Sequence, residues 1–376
     1  PNLTSFGSDV SNLLRMPILA DVIPVLAAWV FLWLATRLAG ELPFAALLSV
    51  GTVVVAVILV VAALPYRVDG RTDVAEQAAD PDAPDVILLV LDGYARADVL
   101  EEFYALDNSP FLADLEELGF TIATEASPNY SFTYASISSM LAMDYVYDVG
   151  PITPEHHERM RTALSGDAAI MRTFRERGYE VAFVESAWQG SYCGTGVDIC
   201  VRDGHAERML WNVGQLTVLA PLLKVVRPSP FSTVSQEHLE SLARIVADDR
   251  SEGVPRLTIA HVLIPHPPLL LDAACDRHLT EARRDEISAD PKPEFIEARI
   301  GYYAEQTMCT NQLVLEQMGQ ILQARNDTIV MITADHGAGS LRVGYTPLDA
   351  LSEAEVRERM GIFSAYRVPG CSEPVS

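Results

Sequence analysis

Two short apolar runs in this chain end on carboxylates. Val86 to Leu91 (VILLVL) passes straight into Asp92-Gly93, and Ile329 to Ile332 leads into Asp335-His336-Gly337. Two carboxylates and an imidazole form a donor set that suits a divalent cation. A third stretch, SPNYSFTYASISSMLAMDY over residues 127–145, is crowded with hydroxyls: Ser131, Thr133, Ser136, Ser138 and Ser139. Ile137, Met140 and Leu141 recur at helical spacing, which predicts a helix opening near Thr133. At a helix N-terminus the macrodipole and the first N–H groups favour an alkoxide and a bound phosphate. A cation beside it would depress the hydroxyl pKa further. The same hydroxyls also suit N-capping and a polar helix face, so the pattern alone leaves nucleophile and cap both open.

What would position these groups is an alternation of strands and helices. Val86–Leu91, Thr121–Thr124, Glu180–Val184, Leu257–Ile264 and Thr328–Thr333 read as strands. Pro110–Leu118, Thr133–Met143, Asp167–Arg177, Gln236–Asp249 and the long stretch Glu294–Ala324 read as helices. Continuous apolar strands between amphipathic helices predict an α/β fold with a mostly parallel sheet sandwiched by helices. In such sheets ligands bind beyond the carboxyl ends of the strands. A buried strand delivers its last side chain to that rim with little freedom, and Gly93 and Gly337 let the backbone turn there. Asp-Gly after a strand is often only a turn. Its occurrence on two distant strands is what favours a site.

The start of the chain has a different character. Residues 42–65 (LPFAALLSVGTVVVAVILVVAALP) carry no charge and are long enough to cross a ~30 Å hydrocarbon core as a helix. Residues 17–36 form a second candidate, interrupted by Asp21 and Pro24, with Trp29 and Trp33 placed for an interface. The reading is therefore a transmembrane hairpin in residues 1–65, an acidic linker over 66–84 and a catalytic domain over 85–376. A signal peptide, with one shorter apolar region, fits two such segments poorly. The basic residues Arg15, Arg37, Arg67 and Arg71 lie on all three flanks and give no orientation.

With 51 acidic against 27 basic residues and a formal charge of −24, the chain is not expected to bind nucleic acid, because phosphate backbones need clustered Lys and Arg. The five cysteines form no CxxC or zinc-finger spacing. Cys193 and Cys200 bracket a Gly-rich loop (CGTGVDIC) that a disulfide could close, which suits an extracytoplasmic domain. The odd count leaves at least one thiol unpaired within the chain.

Taken together, VLDGYARADVL, NYSFTYASISSML, IPHPPLLLD, the GYYAEQTMCTNQLVLEQMGQIL helix, ITADHGAGS and RMGIFSAYRVPG resemble the alkaline phosphatase superfamily. The likeness is greatest to its sulfatase-like branch, which includes lipoteichoic acid synthases and phosphoethanolamine transferases. It covers roughly residues 85–370, and by comparison with relatives the C-terminus looks truncated. The resemblance implies that Asp92, Thr133, Asp335 and His336 hold a metal ion, that Thr133 is the nucleophile with Ser136 as its rival, and that His266 contacts the phosphoryl or leaving group. Two-metal relatives carry a D-x-x-x-H segment. Here AHVLIPHPPL supplies His261 and His266 without that Asp, which implies one ion, Mn²⁺ or Zn²⁺. The C/S-x-P-x-R motif of sulfatases proper is absent around Thr133, which argues against sulfate-ester chemistry by the usual route. Asp-Gly at the first carboxylate is closer to phosphodiesterase-type members.

The expectation is a multi-pass cell-membrane enzyme with an extracytoplasmic catalytic domain. It would act as a phosphotransferase or phosphodiesterase on a lipid head group or other phosphodiester, through a phospho-threonine intermediate. Hydrolysis of sulfate or phosphate esters is the enzymatic alternative. An inactive membrane sensor or scaffold is the other, and it would be marked by loss of a ligand or of Thr133, none of which is lost.

Overall fold

The computed structural model of the protein describes chiefly residues 83–148, 152–164, 168–186, 193–201 (without 195), 231–247, 254–276, 293–341 and 350–370. Both predicted membrane segments lie outside these residues, as does most of the 66–84 linker. No described helix is long and apolar enough to cross a membrane.

The strands are β1 Val86–Leu91, β2 Thr121–Ile122, β3 Glu180–Val184, β4 Ile199–Val201, β5 Arg256–Val262, β6 Ile329–Ala334 and β7 Ser364–Arg367. The helices are α1 Ala97–Tyr104, α2 Ser109–Glu117, α3 Thr133–Ala142, α4 Pro154–Leu164, α5 Ala169–Arg175, α6 Phe231–Ala247, α7 Ile296–Ala324 and α8 Glu353–Met360. They build a sheet in the order β2-β7-β6-β1-β5-β3-β4. From β6 to β4 every pairing is parallel, while β7 runs antiparallel to β6 and to β2. The mostly parallel α/β sheet is thus present, with an antiparallel edge at one side.

β1 lies at the centre of this sheet, and its unbroken apolar sequence follows from burial on both faces. Ile87, Leu89 and Leu91 enter one core with Val99 and Leu100 of α1, Leu115 of α2 and Met318 of α7. Leu88 and Val90 enter the other, with Ile137 and Leu141 of α3 and Met171 of α5. Each fully buried aliphatic side chain contributes about 1.5–3 kcal/mol. Five of them on one strand hold its end rigidly enough to present an anion there. The register also matters: Leu91 pairs with Ala334 of β6 and with Val262 of β5. Asp92 and Asp335, each the next residue along its strand, therefore leave the sheet side by side.

Candidate active site

Asp92 and Asp335 are 2% and 0% exposed. The Asp335 carboxylate is fixed by its own turn: Oδ1 accepts from the Gly93 and His336 backbone N–H groups, both at 2.9 Å. Among the described residues, that leaves Oδ2 buried with no hydrogen-bond partner, and Asp92 Oδ1 is in the same condition. Between them points His336 Nε2, 3.5 Å from Asp335 Oδ2, 3.6 Å from Asp92 Oδ1 and 3.2 Å from Thr133 Oγ1. His336 Nδ1 lies 2.7 Å from the Gly337 carbonyl oxygen, which can only accept. Nδ1 therefore carries the proton, and in the neutral ring Nε2 is the nitrogen that has the lone pair.

Burial pushes the His336 imidazole pKa down, against the opposing pull of Asp335 and Asp92. Burial alone would raise the Asp92 carboxyl, but His266, with His261 and His336, outweighs it and holds the group below the usual carboxylate range. Two buried carboxylate oxygens lacking hydrogen-bond partners would be costly as they stand. Facing an imidazole lone pair and a hydroxyl, they form the oxygen-and-nitrogen donor set that a divalent cation takes. The residues fit the ion.

Thr133 is the first residue of α3, and the N-cap before it is Phe132, with no side-chain cap. The capping reading of the hydroxyl cluster thus fails for the helix start. Ser138 and Ser139 are used within the fold, donating to the Tyr134 and Asp144 carbonyls at 2.5 and 2.9 Å. Ser136 is buried at 2% exposure, one turn further in, while Thr133 is half-buried.

His261, not expected among the ligands from sequence, is brought into the site by the fold. It sits in β5 opposite Val90, with ligand atoms of Asp92, His261 and Asp335 all within 4.8 Å of one another. Its Nε2 is 3.4 Å from Asp92 Oδ2. The available signal was a histidine inside the mostly apolar LTIAHVLI. His266 stands on the rim just beyond, its ring centroid 6.2 Å from that of His336.

The turn carrying His336 needs its glycine. A Cβ on Gly337 would lie 2.1 Å from the Glu358 carbonyl oxygen of α8, so the backbones touch where no side chain fits. Glu358 itself, 1% exposed, accepts from Ser340 N–H at 2.8 Å and Leu341 N–H at 3.2 Å and is bonded by the Tyr104 hydroxyl. Burial raises its pKa from the ordinary 4.5, more than those hydrogen bonds lower it. With the folded-state pKa raised, the native chain holds the proton longer, so stability falls as pH rises from about 4.5 through the higher folded value. Glu358→Gln keeps an accepting oxygen and carries no charge. It should remove that slope and melt higher than the parent at pH 7; superimposable melting-temperature profiles for the two proteins between pH 4 and 8 would refute this.

Cys193 and Cys200 form a disulfide in the structure, with Cα atoms 5.9 Å apart. A second links Cys275 to Cys309 of α7. Cys371 lies outside the described residues.

A parallel sheet whose central strands deliver carboxylates and imidazoles to a hydroxyl at a helix start defines a metal-dependent hydrolase or transferase of the alkaline phosphatase type. The sulfatase family model matches residues 84–360, and the chain belongs to that family, whose enzymes use a divalent metal. Among solved structures, the C-terminal periplasmic domain of EcEptC from Escherichia coli is similar at 12% identity, over 77% of this chain and 74% of that one, with a TM-score of 0.46. The soluble domain of lipooligosaccharide phosphoethanolamine transferase A from Neisseria meningitidis is similar at 14% identity, over 76% and 77%, with a TM-score of 0.46. Phosphonate monoester hydrolase of Agrobacterium radiobacter is similar at 13% identity, over 77% and 68%, with a TM-score of 0.48. No curated protein matches the chain.

Proposed function

We propose that this chain is a membrane-anchored, metal-dependent phosphotransferase or phosphodiesterase that works through Thr133. The observation that carries the reading is the approach of Thr133 Oγ1 to His336 Nε2 at 3.2 Å, at an uncapped helix start facing two buried carboxylate oxygens. Asp92, Asp335, His336 and the Thr133 oxygen would hold one Mn²⁺ or Zn²⁺, with His261 beside Asp92 steadying that carboxylate. When bound, the ion supplies a Lewis acid that lowers the hydroxyl pKa and polarises a phosphoryl oxygen.

Thr133 gives up its hydroxyl proton, and its oxygen forms a bond to phosphorus as the bond to the leaving oxygen breaks; that oxygen takes up a proton. The N-terminal N–H groups of α3 stabilise charge on the phosphoryl oxygens. His266 steadies the phosphoryl or leaving group from the rim. An acceptor hydroxyl, or water, then forms the new O–P bond as the bond to Thr133 breaks. Two displacements replace one harder reaction.

The two disulfides suit an oxidising, extracytoplasmic compartment. The apolar segments 17–36 and 42–65 would keep the catalytic domain beside a bilayer, with a lipid head group as donor. The family match also favours a second reading, hydrolysis of sulfate or phosphate esters. Transfer and hydrolysis are separated by incubating the chain with vesicles of a lipid bearing a phosphodiester head group, with and without an acceptor alcohol, and ester hydrolysis is tested beside them with an aryl sulfate and an aryl phosphate monoester. Transfer predicts a head-group adduct on the alcohol and a rate that rises with its concentration. Release that ignores the alcohol means hydrolysis.

Deleting residues 1–70 should leave turnover of short-chain, water-soluble phosphodiesters intact, because every site residue lies at or beyond Asp92. Turnover of bilayer lipid should fall, since the second reactant is no longer confined to the same surface. Equal rates on liposomes for both forms would mean that the N-terminal segment does not deliver substrate.

A further inference from the structure

The turn that carries His266 has no backbone hydrogen bond between its own residues. It runs from Ile264 through Pro265, His266, Pro267 and Pro268 to Leu271, and its three prolines have no N–H to donate. One side chain from α7 does the work instead. Gln306 is 1% exposed. Its Nε2 donates to the Pro265 and His266 carbonyls at 3.0 and 3.1 Å. Its Oε1 accepts from the Leu270 and Leu271 N–H groups at 2.8 and 3.1 Å. Two donors and two acceptor positions are all that a carboxamide has, and all are used. Only one orientation of the amide satisfies both ends of the turn. The His266 N–H donates to the Asp92 backbone carbonyl at 3.0 Å, so the same residue is tied at once to Gln306 and to the main chain at Asp92. Among the described residues the His266 ring hydrogen-bonds only to its neighbouring Pro267 carbonyl, at 2.5 Å, so its place beside His336 is set largely through its backbone.

Neighbouring residues of α7 serve adjacent loops. One turn earlier, the Tyr303 hydroxyl donates to the Gly93 carbonyl at 2.6 Å and accepts from the Ala95 N–H at 3.0 Å. One turn later, Cys309 is bonded to Cys275, at the far end of the His266 segment.

We propose that Gln306 is a positioning residue of the reaction: by fastening Pro265 and His266 at one end of the turn and Leu270 and Leu271 at the other, it sets the His266 imidazole beside His336 and so controls the rate at Thr133. The proposal rests on the phosphoryl-transfer reading of the site and on the part of His266 in it. A carboxylate at position 306 has the same shape but no donor, and it would face two carbonyl oxygens. The turn would shift rather than stay.

The test is a double-mutant cycle on the full chain loaded with metal, using bis(p-nitrophenyl) phosphate as the probe: parent, Gln306→Glu, His266→Ala and the double variant. Misplacing a reacting group by about 1 Å costs on the order of 10²-fold. Gln306→Glu should therefore lower kcat by about that much with KM changed far less and with metal content unchanged. The double variant should match His266→Ala, because without the imidazole there is nothing left to position. Losses that multiply in the double variant would overturn the proposal while leaving His266 in the reaction. A His266→Ala chain with parental rates would overturn it together with the role of His266. A parent that releases no p-nitrophenol would overturn the phosphodiester reading beneath both. If Gln306→Glu fails to fold, Gln306→Met, apolar and of similar volume, takes its place in the cycle. If neither folds, Gln306 is a requirement of the fold alone and the proposal is wrong.

Discussion

Asp335→Asn is expected to lose bound divalent metal and nearly all turnover while keeping its fold. Asparagine retains the oxygen that accepts from the Gly93 and His336 N–H groups. It replaces the other oxygen, the buried one with no hydrogen-bond partner, by an amide nitrogen that cannot ligate. Asp335→Ala is the blunter form of the experiment, since it would also strand two buried N–H groups at about 1–3 kcal/mol each. Asp92→Asn should behave like Asp335→Asn, because its Oδ1 faces the same His336 nitrogen. Deleting a single electrostatic contact to a transition state costs about 2.7–4 kcal/mol, or 10²–10³ in rate. Losing the ion removes several such contacts together, so the fall should exceed 10³. Metal-free parent protein should also melt lower than the loaded form, by mass action and because two buried anions are left facing each other. Elemental analysis beside thermal melts reads all of this. Stoichiometric metal in both asparagine variants would refute the ligand set.

Thr133→Ala is expected to cost still more. A nucleophile makes and breaks a covalent bond, and its removal from other covalent catalysts costs on the order of 10⁶ in kcat. Thr133→Ser should keep partial activity, since it retains the hydroxyl but loses the methyl that restricts χ1. Ser136→Ala should keep most of the rate. Its side chain is buried within α3, one turn from the helix start, and its N–H is already committed to the Phe132 carbonyl at 3.1 Å. His266→Ala should fall between these, slow but active. Steady-state rates for the four variants order them, and a Ser136→Ala chain as dead as Thr133→Ala would upset the assignment.

The parts of this site that could be read from the chain are those whose signal is local. VILLVL before Asp92 and the run before Asp335 are legible because a strand buried on both faces is apolar throughout, and the residue that ends it stands out. The start of α3 at Thr133 is legible from the spacing of Ile137, Met140 and Leu141. His261 was not counted as a site residue because nothing in its own strand says that Val90 is its neighbour; only the β1–β5 register puts it against Asp92. The Cys275–Cys309 bond spans 34 residues and has no local mark. The strand at Thr121 was legible, but β7 is four residues long, too short for a period to show, so the antiparallel edge it makes with β6 and β2 went unread. α8, with Ser352 and Glu355 in a reciprocal capping box before a charged helix, went unread although that pattern is local. Its function, receiving the Gly337 turn against its backbone, depends on a contact that no sequence window contains.

Covalent attachment of the transferred group to Thr133 is read out by peptide-level mass spectrometry. The metal-loaded full chain is incubated with a phosphodiester, quenched in acid during turnover and digested. A phosphoryl-bearing adduct is expected on the peptide containing residues 127–145, with fragmentation placing it on Thr133, and no adduct in Thr133→Ala. An adduct on Ser136 that survives in Thr133→Ala, or steady turnover with no adduct on any residue, would contradict it.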